Sequence, residues 1–132
     1  MMKHTILILF LFLSLLCHGQ SYKFFTTDRE LSSSLINKIY QDRNGMIWIA
    51  TEDGLNRYDG AKFITYKHDP ENEYSLCHNY VRVLYEDSKG RLFVGTYNGI
   101  QLYDPETDSF SARAQWEDGK TFDSNIMSIL ER

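Results

Sequence analysis

Beyond residue 20, the residues that could do chemistry in this chain are two histidines, one cysteine and several Asp–Gly pairs, and their spacing argues against catalysis. His68 and His78 stand ten positions apart, with Asp69 beside the first. No His-Glu-x-x-His and no paired cysteines accompany them, so no metal site is expected. Asp42-x-x-Gly45, Asp53-Gly54 and Asp59-Gly60 resemble pieces of a cation loop. The alternating acidic run closed by glutamate that calcium loops use is missing, and turn chemistry accounts for all three. Ser32-Ser33-Ser34 lacks the Gly-x-Ser-x-Gly frame of an activated nucleophile and reads as a polar connection. Glu52-Asp53 and Glu86-Asp87 are sequence neighbours, which cannot be placed as an acid and a base on opposite sides of a substrate. Cys77 has only His78 beside it and no cationic cluster to lower its pKa, so it is a small packing residue. The expectation is no catalytic residue, no metal and no cofactor.

Recognition is the remaining chemistry. Tyr97 and Trp116 are the candidate ligand-contacting residues, since both depart from an internal repeat and both fall in connections. A tyrosine or tryptophan ring there could stack on the apolar face of a sugar. The competing reading is packing, which explains most of the nine tyrosines and eight phenylalanines. Trp48, inside an aliphatic run, is assigned to the core.

What must position such residues is a small fold. The chain has 132 residues, 42% hydrophobic and 24% charged, with a formal charge of −4. This composition excludes disorder, collagen-like repeats and a disulfide scaffold. The acidic balance and the lack of a basic tract exclude nucleic acid as a partner of this segment.

Residues 1–19 read as a signal peptide. Lys3 and His4 precede an apolar run from Ile6 to Leu16 that is broken only by Ser14. Eleven helical residues rise about 16 Å, roughly half the bilayer's hydrocarbon core. Small residues Cys17 and Gly19 then suit cleavage before Gln20. A lipidated Cys17 is the rival, and Leu16 before it argues against that. Periplasmic export follows, and Cys77 is left as the single cysteine beyond the leader.

Beyond residue 20 the chain repeats at a constant offset of 45. Tyr40/Tyr85, Asp42/Asp87, Gly45/Gly90, Thr51/Thr96, Gly54/Gly99, Tyr58/Tyr103 and Asp59/Asp104 are identical pairs. Ile126 and Ile129 fall at a second offset under Ile36 and Ile39. The units run approximately 34–78, 79–123 and 124–132, the last one truncated. Within a unit, β-rich runs alternate with turns. The expected strands are Ile36–Gln41, Met46–Thr51, Leu55–Tyr58 and Lys62–Tyr66. Their counterparts are Val81–Glu86, Arg91–Thr96, Ile100–Tyr103 and Ser109–Arg113. Asp42 to Gly45 and Asp87 to Gly90 supply turns, and Asp53-Gly54 and Asn98-Gly99 are hairpin signals. Four short antiparallel strands in such a period make a β-propeller blade. The fold class is therefore all-β: about two complete four-stranded blades over residues 20–132, plus the first strand of a third. Such an incomplete propeller leaves faces uncovered, so the chain is expected to be part of something longer, or marginally stable and prone to associate.

The run Ile47-Trp48-Ile49-Ala50-Thr51-Glu52-Asp53-Gly54-Leu55, with its Asp42-x-x-Gly45 turn and closing Tyr58-Asp59, resembles the two-component regulator propeller repeat. Asp87 to Asp104 carries the pattern again with Phe93 in the tryptophan place. The resemblance implies the N-terminal periplasmic sensor part of a hybrid two-component histidine kinase, anchored in the inner membrane and working as a homodimer. The partners it implies are the rest of a longer sensor chain and an oligosaccharide ligand. Kinase activity would belong to that longer parent. An exported propeller enzyme, a carbohydrate-binding protein and a truncated remnant are the alternatives.

Overall fold

The computed structural model describes residues 21–27 and 30–111. The leader, the third-unit strand and Trp116 lie outside the described residues, as does the Arg113 end of the expected eighth strand. Two four-stranded antiparallel meanders form in chain order. The first blade comprises β1 (Ile36–Gln41), β2 (Ile47–Thr51), β3 (Gly54–Tyr58) and β4 (Phe63–Tyr66). The second comprises β5 (Val81–Glu86), β6 (Leu92–Thr96), β7 (Gly99–Asp104) and β8 (Ser109–Phe110). The eight strands expected in the first two units form, seven of them with ends displaced by at most one residue and the eighth as Ser109–Phe110 within the described residues. The second sheet repeats the first down to the register shift in its opening pair, at Ile36/Lys38 and again at Val81/Val83.

The β1–β2 turns follow the expected chemistry. The Gly45 amide donates to Asp42 O at 2.9 Å, the Gly90 amide to Asp87 O at 2.9 Å, and both glycines have positive φ, +84° and +81°. Each aspartate also organises its turn through its side chain. Asp42 Oδ1 accepts from the amides of Asn44 and Met46 at 2.9 and 3.0 Å. Asp87 Oδ1 accepts from those of Lys89 and Arg91 at 3.0 and 2.8 Å.

The second carboxylate oxygen shows a compensated exchange. In the first blade the Trp48 indole N–H donates to Asp42 Oδ2 at 2.8 Å. Phe93 has no N–H to offer at that place. Arg91, which replaces Met46 of the first unit, donates through Nε to Asp87 Oδ2 at 2.6 Å and lays its guanidinium 5.4 Å from the Phe93 ring centre. The same carboxylate is satisfied from the same direction by a different residue. Burial of Asp87 opposes its ionisation. Hydrogen bonds and charge from Arg91, with the Lys89 amide, outweigh this and hold its carboxyl below the usual range.

The hairpins between second and third strands differ from the sequence expectation by one position. Thr51 pairs with Gly54 and Thr96 with Gly99, so the loop residues are Glu52-Asp53 and Tyr97-Asn98. None of these four has positive φ, whereas the mirror-image turn favoured by a central Asp–Gly pair needs it. The left-handed step is taken instead by the glycine that opens the next strand, at φ +130° for Gly54 and +131° for Gly99. Each threonine hydroxyl closes its loop: Thr51 Oγ1 accepts from the Asp53 amide and donates to Gly54 O, and Thr96 does the same with Asn98 and Gly99. A β-carbon on Gly54 would sit 2.8 Å from Tyr66 O and 3.2 Å from Ser32 Oγ. Gly54→Ala is therefore expected to cost about 1–3 kcal/mol in urea unfolding, from strain and clash together.

Ser32 and Cys77 explain each other. Ser32 Oγ contacts Thr51 Oγ1 at 3.0 Å, and Cys77 Sγ contacts Thr96 Oγ1 at 3.1 Å. The Ser32 amide donates to Asn56 Oδ1, and the Cys77 amide to Gln101 Oε1. Both residues thus tie the segment before a blade to its second and third strands. Residues just before 34 and 79 therefore take part in the hydrogen bonding of the blade that follows them.

The core lies between the blades. Trp48, Ala50 and Leu55 of the first pack with Val81, Leu84, Leu92, Val94, Tyr103 and Phe110 of the second in one buried cluster. Around it, Glu86 accepts from the Tyr40 hydroxyl at 3.0 Å, the Arg43 amide at 3.1 Å and Arg43 Nε at 2.6 Å. The Arg57 guanidinium stands 5.6–5.8 Å from the ring centres of Trp48, Tyr66 and Tyr103. It reaches Asp108 Oδ1 at 2.8 Å and also bonds the Tyr103 hydroxyl.

Candidate functional site

A meander puts alternate loops at opposite ends of the sheet. The hairpins 52–53 and 97–98 therefore share one end with the β4–β5 connection, residues 67–80. This end gathers the side chains best suited to recognition. Tyr97, first of the two loop residues, is 52% exposed. Its amide donates to Tyr80 O at 3.0 Å, which fixes the loop against the incoming segment.

Three rings form a platform. Tyr97 lies 5.6 Å from the His78 ring at 39° and 6.4 Å from Tyr80 in an edge-on arrangement. Tyr80 is fixed from two sides, donating its hydroxyl to Glu52 Oε1 at 3.0 Å and lying 5.2 Å beneath the Arg82 guanidinium carbon. His78 Nδ1 accepts from the Tyr80 amide at 2.9 Å, which leaves the ring proton on Nε2. A polar rim continues the surface: Lys67 Nζ pairs with Asp53 Oδ2 at 2.7 Å, and Asn79 Nδ2 donates to Asp53 Oδ1 at 3.3 Å. Beside it runs a groove of about 410 Å³ whose walls include His68, Glu73, Ser75, Asn98 and Gln101.

An exposed flat ring with fixed neighbours and rim donors and acceptors is the architecture that holds a polyhydroxylated ring, through C–H contacts to the aromatic face and hydrogen bonds around it. Of the two sequence candidates, the structure places Tyr97 at this surface, and Trp116 lies outside the described residues. His78 and Tyr80 were not candidates. The signal for them was present, since the second unit carries an imidazole and a phenol where the first has Ser33 and Leu35.

The other sequence candidates fall apart in space or into structural duty. His68 turns Nδ1 onto Leu76 O at 2.6 Å, and its amide is held by Asn79 Oδ1. Among the described residues, no group of three or more His, Cys, Asp or Glu side chains could hold a metal ion. Asp59 serves its own turn by accepting from the Ala61 and Lys62 amides at 2.9 Å each, and these bonds hold its carboxyl below the usual range. Among the described residues no helix is long and apolar enough to cross a membrane.

Comparison with known proteins agrees with this geometry. The two-component regulator propeller family model matches residues 30–53 and 75–98. The first segment runs from just before Ser32 through β1 and β2 to the 52–53 loop, and the second covers the same elements of the next blade. A histidine kinase P4 from Formosa agariphila is 40% identical over 73 residues, covering 52% of this chain and 5% of that kinase. The extracellular domain of a hybrid two-component system, BT3049 of B. thetaiotaomicron, superposes with a TM-score of 0.65 at 33% identity, over 78% of this chain and 15% of that domain. The corresponding domain of BT4673 from the same organism has a TM-score of 0.61 at 23% identity, covering 81% of this chain and 15% of its own length, which bears on the fold alone. The chain thus spans a small fraction of each relative. The two matched segments, at the same place in each blade, are similar to two-component regulator propeller repeats.

Proposed function

We propose that this chain is an N-terminal, non-catalytic piece of an exported propeller that senses an oligosaccharide for a two-component histidine kinase. The observation that carries the reading is the pairing of two regulator propeller repeats with an extracellular hybrid-sensor domain as structural relative. Residues 1–19 act as the leader in this reading, and the sensor works from the periplasm. The Tyr97–Tyr80–His78 platform is the part of the ligand surface that this segment contributes. Binding there biases the arrangement of the assembled sensor, which the kinase reads as a shift between preexisting states.

Two measurements test it. Fusing residues 1–132 ahead of an alkaline phosphatase that is active only outside the cytoplasm is expected to give active enzyme. A fusion that stays inactive while the protein accumulates overturns the export reading. Titrating the purified chain against a panel of plant and algal oligosaccharides by calorimetry is expected to show binding that Tyr97→Ala weakens at least about tenfold. Loss of a stacked aromatic corresponds to about 1–3 kcal/mol. Sugar affinity that Tyr97→Ala leaves unchanged removes the platform from the ligand site, and failure of every sugar to bind overturns the oligosaccharide assignment.

A further inference from the structure

The connection between the blades carries two imidazoles whose protons the main chain assigns in opposite senses. A carbonyl oxygen can only accept, so the 2.6 Å contact of His68 Nδ1 with Leu76 O puts a proton on Nδ1. In the neutral ring this leaves Nε2 with a lone pair. An amide can only donate, so the 2.9 Å contact of the Tyr80 amide with His78 Nδ1 puts the proton of that ring on Nε2. One ring therefore offers an acceptor and the other a donor. Both assignments are made by backbone groups, so neither ring changes tautomer to suit a ligand without losing a bond.

The loop between them holds the rings in place. Asp69 O accepts from the Asn72 amide at 3.1 Å and from the Ser75 hydroxyl at 3.0 Å, and that hydroxyl accepts from the Asp69 amide at 2.9 Å. The His68 amide donates to Asn79 Oδ1 at 2.6 Å, which closes the segment from the other side. The rings then serve two adjoining surfaces. His78 lies 5.6 Å from the exposed Tyr97 ring, while His68 walls the groove with Glu73 and Asn98. Tyr97 and Asn98 are the two residues of one hairpin loop, so a single extended ligand can span platform and groove. Gln101, also in the groove wall, is spent on the backbone: Nε2 donates to Ser75 O and Ser111 O at 2.9 Å each, and Oε1 accepts from the Cys77 amide at 2.7 Å.

Charge narrows the ligand. The 52–53 hairpin and the 67–80 connection carry Glu52, Asp53, Asp69, Glu71 and Glu73 against Lys67, with Arg82 of β5 as a second cation. The groove walls include Asp69 and Glu73, and neither lysine nor arginine. A uronate or sulfate ester placed there would meet carboxylates, whereas a hydroxyl donates to them.

We infer that His78 and His68 form an opposed donor–acceptor pair that reads the hydroxyl pattern of an uncharged oligosaccharide. His78 Nε2–H donates to the unit stacked on Tyr97, and His68 Nε2 accepts from a hydroxyl of the unit in the groove. This rests on the oligosaccharide reading above and narrows it to neutral sugars.

The first test is long-range proton–nitrogen NMR of the histidine rings in the full chain at about pH 8, where an ordinary imidazole is neutral. His78 is expected as the Nε2–H tautomer and His68 as the Nδ1–H tautomer. Either ring in the opposite tautomer, or exchanging between the two, overturns the inference. The second test is calorimetry with neutral β-glucan oligosaccharides, oligogalacturonates and sulfated galactan oligosaccharides. The neutral sugars should bind at least about tenfold more tightly than the anionic ones. His78→Phe and His68→Phe, which keep a flat ring, should each weaken neutral-sugar binding about two- to tenfold, the range for one hydrogen bond. Tautomers and charge preference are read on the unaltered chain, so they answer even where a variant loses its fold. Anionic sugars that bind as well as neutral ones, or affinity unchanged by both variants, overturn this inference and leave the oligosaccharide reading standing. Failure of every sugar to bind overturns both.

Discussion

Replacing Trp48 by alanine is expected to lower stability by about 3–5 kcal/mol, the range for emptying a large buried aromatic site. The indole stacks on Tyr66 at 6.0 Å, meets Tyr103 edge-on at 4.7 Å, and lies beneath the Arg57 guanidinium. Tyr66 and Arg57 belong to the first blade with Trp48, and Tyr103 belongs to the second, so the cavity would open where the two blades meet and loosen both. Urea unfolding followed by circular dichroism reads the loss, and a change below about 1 kcal/mol would mean the interface collapses around the gap at little cost. Trp48→Phe separates packing from the hydrogen bond. It keeps a ring but removes the donor to Asp42 Oδ2, which costs about 1–2 kcal/mol. Adding Met46→Arg to Trp48→Phe rebuilds the Arg91–Asp87–Phe93 arrangement of the second blade. If the exchange between units is compensated, that double variant recovers part of the loss. No recovery would make the Arg91 contact incidental.

Much of this fold was legible because repetition supplies an internal alignment. Identical residues at a fixed offset marked the turns, and the strands filled the intervals. Trp48 belonged to the core because it sits among β-branched residues with no polar alternation. The hairpin loops were misplaced by one residue because Asp–Gly and Asn–Gly usually occupy the centre of a mirror-image turn. Here a threonine hydroxyl at the loop's edge stabilises an ordinary turn and leaves the glycine to open the next strand. Ser32 and Cys77 were read apart, as a polar connection and a packing residue. Their shared role appears only when Thr51 and Thr96 arrive from another strand. The platform was half legible for the same reason. Tyr97 declares itself by departing from the repeat, but the apposition of His78 and Tyr80 depends on the path of the 67–80 connection, which no periodicity encodes.

Asp108 is the position where the second large effect is expected. It has φ +51° and is the only non-glycine residue with positive φ among those described. The strain is held by what its carboxylate collects: Tyr66 donates to Oδ1 at 2.5 Å, Tyr103 at 2.6 Å and Arg57 at 2.8 Å. Asp108→Ala removes the common acceptor of two half-buried hydroxyls and a guanidinium, and is expected to cost about 2–4 kcal/mol. Its side chain is 44% exposed, so solvent replaces part of the loss and the lower half of that range is favoured. Asp108→Gly should cost about 1 kcal/mol less than alanine, because it relieves the backbone while losing the same bonds. A glycine variant no better than alanine would show that the backbone stores no strain there. The pH dependence has two ends. Burial opposes ionisation of Asp108, but bonds from Tyr103 and Tyr66 and the charge of Arg57 outweigh it and hold the carboxyl below the usual range. Its contribution is therefore present above the unfolded value of about 3.9 and disappears as pH falls through the lower folded value. The tyrosines act in the alkaline limb. Burial and the bond to Asp108 raise both, pushing Tyr103 up to about 12 from 10.0. A raised folded value means stability that is full below pH 10 and lost as pH climbs toward 12. Tyr103→Phe should flatten that alkaline limb of the stability curve. An unchanged limb would assign it to Tyr66 or to groups outside this cluster.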